Sequence, residues 1–154
     1  MVELRPMPAD DPVSRGLLTD YFAMRAESFP GQYTPAFPSR TVFEAPAGVF
    51  VVVFDGADAV GCGGIRRVAD GPTGIRYEVK HLYLAPSTRG RGWGRLLLDD
   101  LERRAREWGA SELVLDTHHT LAAAGGLYTS SGFTEIEPYN DNPNATRWYG
   151  KRLT

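Results

Sequence analysis

Arginine and glycine alternate in a short stretch, residues 89 to 95, whose composition suits the binding of an anion. The stretch reads R-G-R-G-W-G-R and contains the spacing Arg89-x-x-Gly92-x-Gly94. Glycines remove the side chains that would block the backbone, so successive N–H groups can face a phosphate. The spacing is neither the G-x-x-x-x-G-K-[ST] of a Walker loop nor the G-x-G-x-x-G of a dinucleotide site. It predicts a site for a pyrophosphate-bearing ligand.

Two secondary-structure elements must position this stretch. An apolar-rich run before it, ending at Leu84, predicts a strand, and an apolar helical pattern follows it from Trp93 to Trp108. The apolar positions of that helix are Leu96, Leu97, Leu101, Ala105 and Trp108. A helix that begins at the loop adds roughly half a positive charge at its N-terminus, where an anion would lie.

The rest of the chain predicts an α/β fold with a mixed sheet. Strands are expected at 2–5, 48–55, 59–68, 75–84, 111–117, 133–140 and 147–153, and helices at 12–29, 93–108 and 121–131. Short turns make most neighbouring strands antiparallel, while the helix at 93–108 makes the strands on either side of it parallel. The proline- and aromatic-rich segment 30–48 is either a loop packed over the core or a lid that contacts substrate.

Length and composition restrict the class of protein. The 154 residues, 42% hydrophobic and 23% charged, predict one globular domain over 1–154. Nineteen acidic and 17 basic residues give a net charge of −2, which does not support nucleic-acid or anionic-membrane binding. The chain shows no signal peptide and no apolar run of membrane-spanning length. A cytoplasmic protein is expected, and a homodimer is left open.

The single cysteine, Cys62, lies in the small-residue run V-G-C-G-G-I. One cysteine forms no internal disulfide, which fits a reducing compartment. No neighbouring charge pattern would activate the thiol, so a buried structural role is expected rather than a nucleophile. The three histidines show no H-x-x-x-H spacing and there is no C-x-x-C, so no metal site is predicted.

Three segments together resemble the GNAT superfamily of N-acetyltransferases. They are the predicted strand E-V-K-H-L-Y-L-A-P, the loop at 89–94, and the later Leu127-Tyr128-x-x-x-Gly132-Phe133. The loop is similar to that family's [QR]-x-x-G-x-[GA] pattern for the pyrophosphate of acetyl-CoA, and the last segment to its L-Y-x-x-x-G-F signature. The resemblance covers residues 76 to 135 and implies a GNAT-like fold of about six to seven strands, whose parallel pair splays apart at the cofactor.

The resemblance also implies a set of cofactor-binding residues. The end of the strand would pair its backbone with the pantetheine arm like an added strand, and the loop would hold the pyrophosphate. The implied residues are Leu82, Tyr83, Leu84, Arg89, Gly90, Arg91, Gly92, Trp93, Gly94 and Arg95. One departure is Leu121, where relatives commonly carry Asn or Gln against the pantetheine; Thr120 is the neighbour able to supply that hydrogen bond.

Acetyl transfer to an amine requires that the amine lose a proton and that the leaving thiolate gain one. Tyr128 resembles the family's thiolate-protonating residue, and a phenol of pKa about 10 can protonate a thiolate of about 8.5. The alternative is a core tyrosine. Glu78 stands where relatives often carry a carboxylate base; the alternative is a surface salt bridge to Lys80 or Arg76. A strand period of two places Glu78 with Lys80, Leu82 and Leu84, opposite Val79, His81 and Tyr83.

Other candidates carry weaker signals. His118 and His119 follow the strand at 111–117 and would act as a base or contact substrate, with a structural role as the alternative. His81 has the same two interpretations, and Asp116 would orient a neighbouring group.

Three functions remain open from sequence alone. The first is an acetyl-CoA-dependent N-acetyltransferase acting on a small amine or amino acid by direct attack in a ternary complex, with protein lysine or N-terminal amines as alternative acceptors. The second is a non-catalytic acyl-CoA-binding regulatory module. The third, nucleic-acid binding through the arginine loop, is disfavoured by the acidic balance.

Overall fold

The computed structural model describes all 154 residues as a seven-stranded sheet with helices on both faces. The strands are β1 (Val2–Pro6), β2 (Gly48–Asp55), β3 (Asp58–Gly71), β4 (Gly74–Leu84), β5 (Glu112–Thr117), β6 (Thr134–Glu135) and β7 (Arg147–Arg152). The α-helices are α1 (Pro12–Ser28), α2 (Trp93–Glu107) and α3 (Ala122–Ser130). Short 3-10 turns lie at Arg40–Phe43 and Pro86–Thr88. The predicted mixed α/β class is confirmed.

The sheet order is β1-β2-β3-β4-β5-β7-β6, and every neighbouring pair except one is antiparallel. The exception is β4 with β5, which run parallel over only three residue pairs, from Arg76 with Glu112 to Glu78 with Val114. Beyond Glu78 the two strands no longer pair. The predicted parallel pair that splays apart is therefore confirmed, and it opens a gap beside the second half of β4.

Both faces of the sheet are buried, which explains the continuous apolar run of β2. Val49, Val51 and Val53 pack into a core on the side of α2 and α3, and the alternate residues Phe50, Val52 and Phe54 pack against α1. A strand covered on both faces needs apolar residues at every position rather than alternation.

None of the helices combines the length and apolarity needed to cross a membrane.

Local chemistry sets the start of α1. The Asp11 side chain accepts a hydrogen bond from the Val13 amide at 2.9 Å, and Pro12 occupies the first helical position. This cap satisfies one of the N–H groups that a helix start leaves without a partner, and proline costs nothing there because it has no N–H. Asp11 is thus the N-cap of α1.

The apolar face of α2 differs from the prediction at one position. Leu97, Leu98, Leu101 and Ala105 are buried, whereas Leu96 is 42% exposed. Each residue advances about 100° around a helix, so Leu97, Leu98, Leu101 and Ala105 share one sector and Leu96 falls outside it. The prediction that Leu96 belongs to the core face was wrong, and Leu98 was missed.

The strand predicted over 133–140 was also too long. Only Thr134 and Glu135 form β6, and the chain from Ile136 to Thr146 runs as a loop across the sheet. The loop is held by side chains: Asn140 Nδ2 donates to Asp116 at 2.7 Å, and Trp148 Nε1 donates to Asn140 Oδ1 at 2.9 Å. The proline-rich segment has no strand or α-helix over residues 30 to 47, as predicted, and contains the 3-10 turn near Thr41; its last residue, Gly48, begins β2.

Candidate active site

A cavity of about 1430 Å³ lies where β4 and β5 diverge. One side of it, here called the loop side, is formed by the end of β4, by residues 89–95 (the glycine loop) and by α3. The other side, here called the α1 side, is formed by α1, the segment 33–43 and the loop at 140–144. In the proline-rich segment, Tyr33 and Phe37 pack on Phe22 and also line the cavity, so the segment packs over the core while its contact with substrate stays a prediction.

The glycine loop presents backbone N–H groups that have no partner in the protein. The amides of Gly90, Gly92, Trp93, Gly94 and Arg95 make no hydrogen bond, and the helical ladder begins only with Leu96 N donating to Gly92 O at 3.2 Å. Gly90 and Gly92 have φ of +80° and +75°, the left-handed region that glycine enters without strain. Free amides at a helix N-terminus form an anion site, and this one fits a pyrophosphate.

The arginines of the loop differ in their positions. Arg89 lines the cavity together with Gly90, Gly92, Trp93 and Gly94. Arg91 lies outside the cavity wall, with its guanidinium 5.0 Å from the Trp93 ring centroid. Arg95 is also outside it, 3.6 Å from Asp99 and donating to the Ser130 carbonyl at 3.3 Å. Of the three, Arg89 is the one best placed to contact a phosphate in the cavity.

The end of β4 forms the wall next to the loop. Leu82, Tyr83 and Leu84 line the cavity, and beyond Glu78 the β4 edge that faces β5 carries no strand partner. An unpaired edge offers main-chain N–H and C=O groups to an extended ligand. This is the geometry expected for a pantetheine arm added alongside β4.

A bulge in β4 overturns the predicted alternation of its side chains. Lys80 pairs with Gly64 but Tyr83 pairs with Cys62, so β4 holds one extra residue, and His81 adopts φ +57°. An extra residue reverses the alternation beyond it. Glu78 and Lys80 therefore share the α1 face with His81 and Tyr83. Leu82 and Leu84 join Val79 on the α2 face. The prediction that placed Glu78, Lys80, Leu82 and Leu84 on one face was wrong beyond Lys80.

Tyr128 lies on α3, 6% exposed, and lines the cavity. Its ring packs against Phe133 and Tyr149 with centroids 6.0 and 6.1 Å away. Its hydroxyl makes no hydrogen bond within the protein. Burial raises the pKa of Tyr128, so the hydroxyl stays protonated at neutral pH. The ring is part of the core, which is the alternative interpretation, and the residue also lines the cavity; its role as the proton donor stays a prediction.

Glu78 is 1% exposed and does not line the cavity. Its Oε1 accepts from Arg66 Nε and Nη2, each at 2.8 Å, and its Oε2 accepts from the Tyr139 hydroxyl at 2.6 Å. The predicted alternative, a surface salt bridge to Lys80 or Arg76, was wrong, because the partner is Arg66 on β3. Arg66 lines the cavity, so in this arrangement Glu78 reaches the cavity only through its partner.

The ion pair between Arg66 and Glu78 is asymmetric, and this predicts unequal costs of breaking it. The Arg66 side chain is 39% exposed and the Glu78 side chain only 1%. Arg66→Met leaves a carboxylate buried without its cation and is expected to cost about 3 kcal/mol of unfolding free energy. Glu78→Gln leaves a guanidinium that can turn to water, and is expected to cost about 1 kcal/mol. Urea unfolding of both variants at pH 7 measures the difference.

The same two variants test the predicted base. If Glu78 takes the amine proton, Glu78→Gln lowers kcat by about 100-fold or more while Arg66→Met mainly raises KM. If Glu78 only positions Arg66, both variants change KM for the amine and leave kcat within a few-fold. Equal losses of stability in the two variants would contradict the asymmetry argued from burial.

A second ion pair, missed by sequence reasoning, bridges the splayed strands. Lys80 Nζ lies 3.3 Å from Asp116 Oδ1, and both residues line the cavity. Burial alone would raise the pKa of the Asp116 carboxyl, but Lys80 and the Asn140 amide lower it, so Asp116 is ionised. Asp116 contacts Lys80 and Asn140, and its role in orienting a neighbouring group stays a prediction. The available signal was that Lys80 and Asp116 stand near the ends of strands predicted to be parallel.

The histidines are divided between two locations. His118 is buried and its Nδ1 lies 2.8 Å from the Thr120 hydroxyl, while His119 Nδ1 lies 2.9 Å from the Thr146 hydroxyl. They line a second, smaller cavity and not the main one. His81 does line the main cavity, but burial lowers its pKa to about 3, so it is neutral and a weak base at pH 7.

Leu121, which stands where relatives commonly carry Asn or Gln, and its neighbour Thr120 both line the main cavity. Leu121 precedes the first residue of α3, and the Thr120 hydroxyl is already hydrogen-bonded to His118 Nδ1.

Cys62 is fully buried, its thiol is 3.5 Å from the His81 carbonyl, and burial raises its pKa. The thiol is therefore protonated and lies outside the cavity wall, as expected for a structural cysteine.

Comparison with known proteins adds to this geometry. The Acetyltransferase (GNAT) family model matches residues 18–133. An uncharacterized N-acetyltransferase of Schizosaccharomyces pombe is 38% identical over 99 residues, 64% of this chain, and the match spans 59% of that protein. The N-alpha-acetyltransferase RimI of Mycobacterium tuberculosis is 36% identical over 138 residues, 84% of each chain.

A crystal structure of a GNAT family acetyltransferase from Elizabethkingia anophelis with acetyl-CoA bound has the same fold. Its TM-score is 0.65 at 16% identity, covering 99% of this chain and 98% of that one. The splayed strands, the free loop amides and the family model, which spans three quarters of the sequence, agree: the chain belongs to the acetyltransferase (GNAT) family.

Proposed function

We propose that the protein is an N-acetyltransferase that transfers an acetyl group from acetyl-CoA to the primary amine of a small molecule or amino acid. The observation that carries the proposal is that a single cavity is lined by the glycine loop with its free amides, by the unpaired end of β4 and by Tyr128. A structural anion site would need the loop alone, whereas acetyl transfer needs the three together.

Acetyl-CoA supplies an activated acetyl group as a thioester, and the chain supplies the binding groups. The amides of Gly90, Gly92, Trp93 and Gly94, with the Arg89 guanidinium, would hold the pyrophosphate. The main chain of Leu82, Tyr83 and Leu84 would hold the pantetheine arm. Trp93, at the start of α2, is partly buried and packs against the core.

Direct attack in a ternary complex is favoured over a covalent acyl-enzyme. The one thiol, Cys62, is protonated and lies outside the cavity wall. The amine nitrogen would bond to the acetyl carbon as the carbon–sulfur bond breaks, with Tyr128 giving its proton to the sulfur. Glu78 stays the predicted acceptor of the amine proton. Because it does not line the cavity and the Arg66 guanidinium beside it cannot accept a proton, the transfer would run through a water between the amine and Glu78. The unpaired cysteine fits a reducing, cytoplasmic setting.

Thiol release from acetyl-CoA tests the proposal directly. The protein is mixed with acetyl-CoA and a panel of amines: free amino acids, arylalkylamines, polyamines, a peptide with a free N-terminus and a peptide with an internal lysine. At least one acceptor is expected to raise thiol release above the amine-free rate, with an acetylated product of the expected mass. The panel also separates small acceptors from the protein lysine and N-terminal acceptors.

The alternative, a non-catalytic acyl-CoA-binding module, predicts a different outcome in the same assay. It requires acetyl-CoA to bind, seen by calorimetry, while no amine raises thiol release. That result would remove the enzyme proposal and leave the binding site. Absence of acetyl-CoA binding would remove both.

A further inference from the structure

One buried cation in the cavity has no anionic partner. Arg25, near the end of α1, is 8% exposed and lines the cavity on the α1 side. The cavity's two other buried or half-buried cations each face a carboxylate, Arg66 facing Glu78 and Lys80 facing Asp116. No carboxylate oxygen lies within 4.0 Å of Arg25.

The contacts that Arg25 does make are with neutral groups. Its Nη1 donates to the Tyr21 hydroxyl at 3.1 Å and its Nη2 to the Asn144 carbonyl at 2.9 Å. Its guanidinium carbon lies 5.1 Å from the Tyr33 ring centroid. These bonds use two of the five N–H groups of the fork and hold it in one orientation.

A guanidinium in this position is costly unless an anion joins it. Arginine keeps its charge at any pH at which the protein is folded, so it is not neutralised by losing a proton. Burial without a counter-charge costs several kcal/mol, which hydrogen bonds to neutral oxygens offset only in part. A packed apolar residue would serve a purely structural role on this helix face at lower cost.

The side chains around Arg25 indicate which other groups an anionic ligand would contain. Three rings and His81 line the same part of the cavity, with Tyr21 and Phe22 edge-on to His81 and Phe22 edge-on to Phe37. This wall suits an apolar or aromatic group. Asp20 and Glu27 also line the cavity, but both are exposed to water at its rim. The loop side, where the cofactor's phosphates would lie, is formed by other elements.

We propose that Arg25 binds the carboxylate of the acceptor, and that the acceptor is a free amino acid with an apolar or aromatic side chain. The inference rests on the proposed function for the amine's role, but the carboxylate site itself does not depend on turnover. A planar guanidinium matches a carboxylate with two parallel N–H···O bonds and an opposite charge, whereas a carboxamide offers one acceptor oxygen and no counter-charge. A peptide N-terminus has an amide at that place and is disfavoured.

The test is a matched pair of ligands that lack the amine. Binding of 3-phenylpropionate and of 3-phenylpropionamide is measured by calorimetry on the full chain with acetyl-CoA present. The wild-type protein is expected to bind the acid at least tenfold more tightly than the amide. Arg25→Met is expected to abolish that preference, Arg25→Lys to restore it in part, and Arg103→Gln, on the exposed face of α2, to leave it unchanged.

The outcomes separate this inference from the proposed function. Equal binding of acid and amide by the wild-type protein overturns the inference whatever the variants do, and so does an undiminished preference in Arg25→Met. A carboxylate preference without any thiol release from acetyl-CoA across the amine panel keeps the carboxylate site and removes the proposed reaction. With turnover present, phenylalanine is expected to exceed phenylalanine amide at least tenfold in kcat/KM.

Discussion

Tyr128→Phe is expected to lower kcat for acetyl transfer by about 100-fold while the affinity for acetyl-CoA stays within about twofold. The substitution removes one hydroxyl that bonds to nothing in the protein, and keeps the ring that packs against Phe133 and Tyr149. No buried group loses a partner, so the melting temperature should hardly change. Steady-state kinetics and calorimetry with acetyl-CoA measure the two effects separately.

The pH profile gives this prediction a second readout. Burial raises the pKa of Tyr128 above its usual value near 10. A phenol donates its proton only while it is protonated, so the wild-type activity should show no alkaline loss from Tyr128 below about pH 10. A loss of activity between pH 8 and 9 that disappears in Tyr128→Phe would contradict the environment described for this residue.

Tyr149→Phe is the matched control. Tyr149 is 3% exposed, its hydroxyl also makes no hydrogen bond, and its ring lies 6.1 Å from that of Tyr128, but it does not line the main cavity. Loss of the Tyr149 hydroxyl should leave kcat unchanged. If Tyr128→Phe retains full turnover, the proton for the thiolate comes from another donor; if both variants lose turnover equally, the effect lies in the packing of α3 and not in the hydroxyl.

Much of the fold followed from sequence because its signals are local. Period-two and period-3.6 patterns, glycine turns and the cap at Asp11 act over a few residues, and they placed six of the strands and all three helices. The helix between β4 and β5 then required a parallel pair. The prediction failed for 136–140, where the pattern resembles a strand but Asn140 and Trp148 hold a loop by side-chain bonds that no local rule contains.

The site was harder to predict because its geometry depends on one irregular residue. His81 at φ +57° changes which face each later side chain of β4 takes. Histidine enters that region more often than most residues do, but nothing in the sequence marks this one of the three histidines. The partner of Glu78 was likewise invisible, since Arg66 lies opposite it only through the register of β3 with β4. Arg25 did carry a signal: it follows Tyr21 by one helical turn, inside the buried stripe of α1.

The glycine loop gives the second large effect. Gly92→Val is expected to weaken acetyl-CoA binding by tenfold or more, measured by calorimetry. Gly92 has φ +75° and precedes α2, and a valine there costs about 1–2 kcal/mol of strain unless the backbone turns. Turning the backbone reorients the partner-free amides of Gly92 and Trp93, which line the cavity, and 1.4 kcal/mol of lost interaction is already a tenfold loss.

Gly56→Val separates the strain from the binding. Gly56, in the turn between β2 and β3, has φ +61°, and like Gly92 an added Cβ there would meet no atom within 4 Å. The two variants should therefore lose similar unfolding free energy, but Gly56 does not line the cavity and its variant should bind acetyl-CoA normally. Unchanged affinity in Gly92→Val would remove the loop from cofactor binding, while equal losses in both would trace the effect to stability. Only a loss confined to Gly92→Val ties the affinity to amides that this glycine aims at the cavity.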